Sequence, residues 1–231
     1  MKGKIFGVGV GPGDPELLTL KALRVIGDCD VIAVPGEKPE DSTAFRIVKN
    51  ACPELRAKTL LGIRMPMTKE KEDLRKSHVE AVQCLCRYLD EGKNIAFLTL
   101  GDPTVYSTYM YVHQGICSLG YEAEIISGVP SFCAAAAKLE TEIARKEEQI
   151  HIIPASYPAE DTMSLPGTKI FMKSGRRMPD IIKNVKECGQ DVSMVVNCGM
   201  EDERVYRSAA ELPEDAGYFA IMFMKEKGDR V

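Results

Sequence analysis

"GVGVGPGDPELL", residues 7–18, sets Gly7, Gly9, Gly11 and Gly13 around Pro12 and closes on Asp14, Pro15 and an apolar run. With the preceding "KIF" it reads as the end of a buried strand, a turn almost free of side chains, and a helix start. A dinucleotide-binding turn needs G-x-G-x-x-G, but counting from Gly7 puts Pro12 in the last place and counting from Gly9 puts Asp14 there. A phosphate loop needs Lys and then Ser or Thr after its final glycine, where this chain has Asp14 and Pro15. A carboxylate at that spot repels phosphate. What remains is a backbone that a broad, flat ligand can approach closely, with Asp14 placed to cap a helix beginning near Glu16. Alone, the stretch is equally compatible with a tight structural turn.

Outward from it, the first 120 residues alternate apolar runs with helical patterns. "KIFGVGV", "DVIAVP" and "NIAFLTL" read as buried strands, "PELLTLKALRVIG" and "KEKEDLRKSHVEAVQCLCRYLDEG" as helices. In the long helix Leu74, His78, Val82, Leu85 and Leu89 recur on one face, Lys69, Lys71, Glu72, Arg75 and Lys76 form a solvated one, and Gly92 caps the end. This rhythm gives an α/β fold with a mainly parallel sheet. A second set follows: "EAEIIS", helix "SFCAAAAKL", "QIHIIPA", "TKIFMKS", helix "MPDIIKNVKEC", "VSMVVNC", "RVYRS" and "GYFAIMFMK", whose closing strands read as an antiparallel or mixed sheet rather than a strict β-α-β series. Residues 154–167 are proline-rich and read as an ordered loop or short helix. A boundary near "SLGYE" divides the chain into an N-terminal lobe, 1–119, and a C-terminal lobe, 120–231.

At 231 residues and 45% hydrophobic the chain can bury a sizeable core. A net charge of −4 argues against a nucleic-acid binder held by phosphate attraction. No apolar run reaches the length of a membrane span and no signal-peptide pattern opens the sequence, so a cytoplasmic setting is expected. Cys29, Cys52, Cys84, Cys86, Cys117, Cys133, Cys188 and Cys198 form no C-x-x-C and suit reduced packing residues. His78, His113 and His151 are far apart, so no metal site is expected.

Two further segments bear on the opening turn. "FLTLGDPTVYSTYMYV", residues 97–112, repeats its grammar: strand, Gly-Asp-Pro, then a Tyr-rich helix. Ligands of α/β sheets sit at the carboxyl ends of strands, so both Gly-Asp-Pro loops are expected to open onto one crevice. "IISGVPSFCAAAA", residues 125–137, is again strand, glycine turn and helix.

In this order the three segments resemble the tetrapyrrole methylase family, and the resemblance spans essentially the whole chain. Its strongest parts are "GVGVGPGDPELLTLKA" and "LTLGDPTVYSTYMY"; the latter, with "MPMTKEKEDL", is most similar to the subgroup that methylates carbon-20 of precorrin-2 or its cobalt form in cobalamin biosynthesis. The resemblance implies S-adenosylmethionine as methyl donor, two α/β lobes with a cleft between them, a cofactor at the lobe junction, a tetrapyrrole substrate and a homodimer. Gly9, Gly11, Gly13 and Asp14 then line the substrate trough with Pro12 near the cofactor. Leu100, Gly101, Asp102, Val105, Pro130, Ser131, Phe132, Met172, Lys173, Gly199, Met200, Phe219 and Ala220 match cofactor-binding positions, mostly through backbone groups. One segment departs from the pattern: where relatives often carry Pro-Gly-Val-(Thr or Ser)-Ser this chain has Ser127–Ser131, and Pro130 offers neither hydroxyl nor N–H.

A carboxylate beside a sulfonium that is losing its charge would stabilise the reactant more than the transition state, so Asp102 is expected to serve binding, for instance at the cofactor's ammonium end. Tyr106, Tyr109 and Tyr111 are candidates for orienting the ring. Arg64, Lys173, Arg176 and Arg177 are the cations nearest the trough loops that could meet the substrate's carboxylates. No residue is assigned as the base that removes a meso proton. Three other readings stay open: a methylase acting at another ring position, a non-catalytic tetrapyrrole-binding protein, and an ordinary Rossmann-like methyltransferase, whose acidic residue before the glycines is replaced here by Lys4, Ile5 and Phe6.

Overall fold

The computed structural model describes residues 1–52, 55, 57–66, 70–154, 162–173, 177–188 and 190–226. The first unit, Met1–Pro130, is built on five strands: β1 (Ile5–Gly9), β2 (Val31–Pro35), β3 (Thr59–Ile63), β4 (Ile95–Thr99) and β5 (Ala123–Ile126). They lie in the order β3-β2-β4-β1-β5 and every pairing is parallel. Alternation along the strands sends residues to two cores. Val8, Ile32, Val34, Ala96 and Leu98 pack with α1 (Leu20–Asp28) and α2 (Thr43–Ala51). Ile5, Val31, Ala33, Ile95 and Phe97 pack with α3 (Lys71–Asp90) and α4 (Tyr109–Ser118). A sheet covered on both faces explains why the strands read as continuous apolar runs. Each fully buried aliphatic chain contributes roughly 1.5–3 kcal/mol, whereas the half-exposed Lys4–Glu124 and Lys21–Glu124 pairs between β1, α1 and β5 contribute about 1 kcal/mol or less. Burial on the two faces therefore holds this unit.

The expected helix from Pro15 to Gly27 is two pieces. Asp14 Oδ1 accepts from the Glu16 amide at 2.9 Å and caps only a 3-10 turn, Pro15–Leu17. Leu18 is extended, and Thr19 Oγ1 then accepts from the Ala22 amide at 3.1 Å to start α1. The long helix α3 forms as read, and Gly92 at φ 78° ends it, its amide bonded to the Leu89 carbonyl at 3.0 Å.

The second unit, Ser131–Val231, opens with α5 (Ser131–Lys138). Its strands are β6 (Ile150–Pro154), β7 (Thr168–Met172), β8 (Asp191–Val196), β9 (Arg204–Tyr206) and β10 (Ala220–Lys225), in the order β6-β7-β10-β8-β9. Only β6 and β7 run parallel, so the sheet is mixed, as expected. The helix α6 (Met178–Cys188) buries Met178, Ile181, Ile182 and Val185 against Phe171, Met194 and Met222. The division falls at 130/131 rather than at 119/120, because β5 pairs with β1 from Ile5↔Ala123 to Val8↔Ile126 and so completes the first sheet. Of the proline-rich stretch 154–167, residues 155–161 lie outside the described residues.

Candidate active site

The strand order creates a switch point. From β1 the chain crosses one face through α1 to reach β2, beyond β4; from β4 it crosses the other face through α4 to reach β5, beyond β1. Connections thus leave these neighbouring strands in opposite directions on opposite faces, which opens the sheet to a ligand at their carboxyl ends. Those ends carry the two Gly-Asp-Pro loops.

The loops touch. The Gly101 amide donates to the Gly11 carbonyl at 2.8 Å and the Gly11 amide to the Gly101 carbonyl at 3.3 Å, with φ of 71° and 77°. The third glycine turn joins them: a Cβ on Gly9 would lie 2.5 Å from the Gly128 nitrogen and 2.7 Å from the Gly101 oxygen, and one on Gly128 would overlap that same oxygen. Three loops from β1, β4 and β5 therefore meet main chain to main chain, which only glycine permits. Gly11, Pro12 and Gly13 are buried, and Asp14 is half-buried at the turn.

Asp102 is 7% exposed. Its Oδ1 accepts from the Thr104 amide at 2.8 Å and the Thr104 hydroxyl at 2.5 Å, and its Oδ2 from the Gly128 amide at 3.0 Å. Leu100 and Val105 flank it half-buried, and the buried hydroxyl of Thr99 has no partner among the described residues. Tyr106 follows in a left-handed conformation, φ 48°, with its side chain exposed.

The three tyrosines separate. Tyr109, expected at the ring, is wholly buried: it fills the space above Gly7, packs on Phe97 at 5.3 Å between centroids, and shares a 3.2 Å hydrogen bond with His113 Nδ1. Burial pushes its phenol above the ordinary range. It is a core residue because the period of α4 turns it, with Val112 and Ile116, onto the sheet. Tyr111 is exposed and stacks on His78 at 4.5 Å, and burial lowers the imidazole's pKa.

In the second unit the candidate residues gather on one edge of the sheet, since β7 and β8 end where β10 begins. Met172 is buried at the end of β7, and Lys173 turns out of the strand at φ 54°, its pKa lowered by burial. Beyond β8, Asn197 sits at φ 54°, its amide bonded to the Phe219 carbonyl at 3.2 Å and its carbonyl to the Met200 amide at 2.9 Å. The Gly199 amide donates to Glu203 Oε2 at 2.7 Å, and Glu203 also pairs with Lys138 of α5 at 2.9 Å. Ala220 is fully buried; Ser131 and Phe132 at the start of α5 are half-buried, as is Pro130 at the end of the first unit. Among the described residues, Tyr106, Lys173 and Asn197 are thus three of the five non-glycine residues with positive φ, a strain that concentrates at functional sites.

Of the candidate cations, Arg64 follows β3 and is paired with Glu37 at 3.7 Å, both exposed; Arg177 is exposed, and Arg176 lies outside the described residues. The sequence reading did not single out the loop after β2. Pro35, Gly36, Glu37, Lys38, Asp41 and Ser42 line a shallow cavity there, on the same sheet edge and one strand over from β4. The Pro-Gly-Glu-Lys-Pro cluster after "VIAVP" was its signal. No group of three metal-ligating side chains occurs among the described residues.

An all-parallel sheet with glycine loops at its switch point, followed by a mixed sheet in a second unit, defines the class as a two-unit α/β protein. Residues 4–213 match the Tetrapyrrole (Corrin/Porphyrin) Methylases, and the chain belongs to that family. It is 36% identical over 205 residues to a probable cobalt-precorrin-2 C(20)-methyltransferase of Methanocaldococcus jannaschii, covering 87% of this chain and 86% of that one. It is 27% identical to the cobalt-precorrin-2 C(20)-methyltransferase of Salmonella typhimurium over 98% of each chain. Its fold matches the uroporphyrin-III C-methyltransferase of Thermus thermophilus complexed with S-adenyl homocysteine, with a TM-score of 0.71 at 20% identity over 97% of this chain and 98% of that one.

Proposed function

We propose that this chain transfers the methyl group of S-adenosylmethionine to the carbon-20 meso position of precorrin-2 or cobalt-precorrin-2, in cobalamin biosynthesis. The observation that carries the reading is the pair of Gly-Asp-Pro loops bridged through Gly11 and Gly101 at the switch point of a tetrapyrrole methylase. The residues suit the donor. Glycine at 9 and 128 lets the three loops close main chain to main chain, Lys173 and Asn197 turn the backbone out of the second sheet's ladder, and the Thr99 hydroxyl is buried without a described partner. The cofactor assignments at Pro12, Leu100–Asp102, Val105, Pro130–Phe132, Met172–Lys173, Gly199–Met200 and Phe219–Ala220 are part of this proposal, Asp102 through its main chain and not its carboxylate.

When bound, S-adenosylmethionine supplies an electrophilic methyl carbon on a sulfonium. The meso carbon of a reduced tetrapyrrole is electron-rich by conjugation with its pyrrole nitrogens, so the chain needs no strong base before attack. Its task is positioning, for which effective molarities reach about 10⁵ M or more. A flat macrocycle can lie against the Gly9–Gly13 turn because that turn offers main chain rather than bulk. Cations on the loops after β3 and β7 meet its carboxylates.

Incubation with methyl-labelled S-adenosylmethionine and precorrin-2, with and without cobalt, followed by mass and NMR analysis, tests the reading. Label at carbon-20 is expected. Label at another ring carbon makes the chain a methylase of different position, and ring binding without label makes it a carrier. The homodimer implied by the resemblance and the cytoplasmic setting belong to the proposal, with light scattering and cell fractionation as their measurements.

A further inference from the structure

We infer that Asp102 is a positioning residue: its carboxylate ties the loop after β4 to residues 127–130, and it acts on the methyl donor through the backbone it holds rather than by contact. The inference rests on the methyl-transfer reading of the same site, and it replaces the expectation that this carboxylate meets the cofactor's ammonium group.

At Gly9, Gly101 and Gly128 three stretches of main chain meet with no side chain among them, so hydrophobic packing cannot hold the junction. Gly11 and Gly101 lock the first two loops through reciprocal hydrogen bonds. The third loop is fixed by the Gly128 amide, which donates to Asp102 Oδ2 at 3.0 Å. A hydrogen bond to a carboxylate is about twice as strong as one between neutral groups, which suits a junction that has few other bonds to make. On its other oxygen Asp102 takes both donors of Thr104, at 2.8 and 2.5 Å, so the carboxylate is oriented before it reaches Gly128. A carboxylate has about four acceptor positions, and three are filled from within the chain. At 7% exposure it is satisfied where it stands. The segment it fixes matters because Val129 and Pro130 follow Gly128 directly and lead into α5, and Pro130 has no N–H with which to be anchored in its turn.

Asp102→Ala removes both acceptor oxygens, so neither the Thr104 amide nor the Gly128 amide keeps its partner. In wild-type protein, a scalar coupling across the hydrogen bond between the Gly128 amide nitrogen and the Asp102 carboxyl carbon is expected, and its absence overturns the tie without any variant having to fold. In Asp102→Ala, hydrogen exchange at the Gly128 amide should accelerate at least tenfold while the amides of β1 and β4 keep their protection; unchanged exchange at Gly128 overturns the inference. The affinities for S-adenosylhomocysteine and for 5′-methylthioadenosine, which lacks the amino-acid portion, should fall together, within twofold of one another. A tenfold loss for the first with none for the second shows contact with the ammonium end and also overturns it. If the wild-type protein binds neither nucleoside, the methyl-donor reading fails and takes the action on the donor with it, while coupling and exchange at Gly128 still decide the tie separately.

Discussion

Gly9 and Gly27 would receive the same methyl group from a substitution to alanine and respond in opposite ways. At Gly9 the added carbon would lie 2.5 Å from a backbone nitrogen and 2.7 Å from a backbone oxygen, neither of which can rotate aside, whereas at Gly27 nothing lies within 4 Å. Gly9→Ala should therefore destabilise the protein by roughly 1–3 kcal/mol and abolish S-adenosylhomocysteine binding. Gly27→Ala, at an exposed position of α1, should stabilise it by about 0.5–1 kcal/mol with binding intact. Thermal melts and titration calorimetry on both variants check the pair. From the sequence the two glycines differ only in whether they stand in a strand-to-turn stretch or a helical one, and that was enough to single out Gly9. The partners Gly101 and Gly128 were legible as separate turns, but their meeting was not, because close approach of main chain leaves no residue pattern. Tyr109 shows the reverse failure: a tyrosine near a ligand loop reads the same whether its helix turns it outward or, as here, onto Gly7.

Among the elements, α1 begins five residues later than the Pro15 that periodicity suggests, since Leu18 is extended and Thr19 supplies the cap. Thr19→Ala should cost about 1 kcal/mol, measured by urea unfolding, because the Ala22 amide would lose its partner. Asp14→Ala should cost less, since it caps only the three-residue turn Pro15–Leu17. Long elements were readable: α3 runs twenty residues, and its buried Ser77, Ala81, Val82, Leu85 and Leu89 repeat at helical spacing. The edge strand β3 and the nine-residue helix α2 were not, although Ala44, Phe45, Ile47 and Val48 form a buried stripe on α2. Two turns of helix give periodicity too few repeats to stand out, and β3, only partly buried apart from Ile63, lacks the continuous apolar run of a central strand.

In the whole molecule, charge is the lever that remains. A polyanionic ring approaching a chain of net charge −4 must be met by local cations, and Arg64, Lys173 and Arg177 are the candidates on the described loops. The KM for the tetrapyrrole should rise severalfold between about 0.05 and 0.5 M salt, as screening shortens to a few ångströms, while the KM for S-adenosylmethionine moves little. A tetrapyrrole KM independent of salt removes these contacts. The sequence by itself determined the class of fold, the two Gly-Asp-Pro loops and the family, because each is written in local order: alternation, glycine spacing, a turn following a strand. The tertiary structure alone decided that β1 and β4 are neighbours, that their connections diverge to make a switch point, that Tyr109 is core, and that Asp102 reaches Gly128 across 26 residues. Those facts depend on which strands pair, and pairing is settled by the burial of two whole faces at once rather than by any stretch read alone.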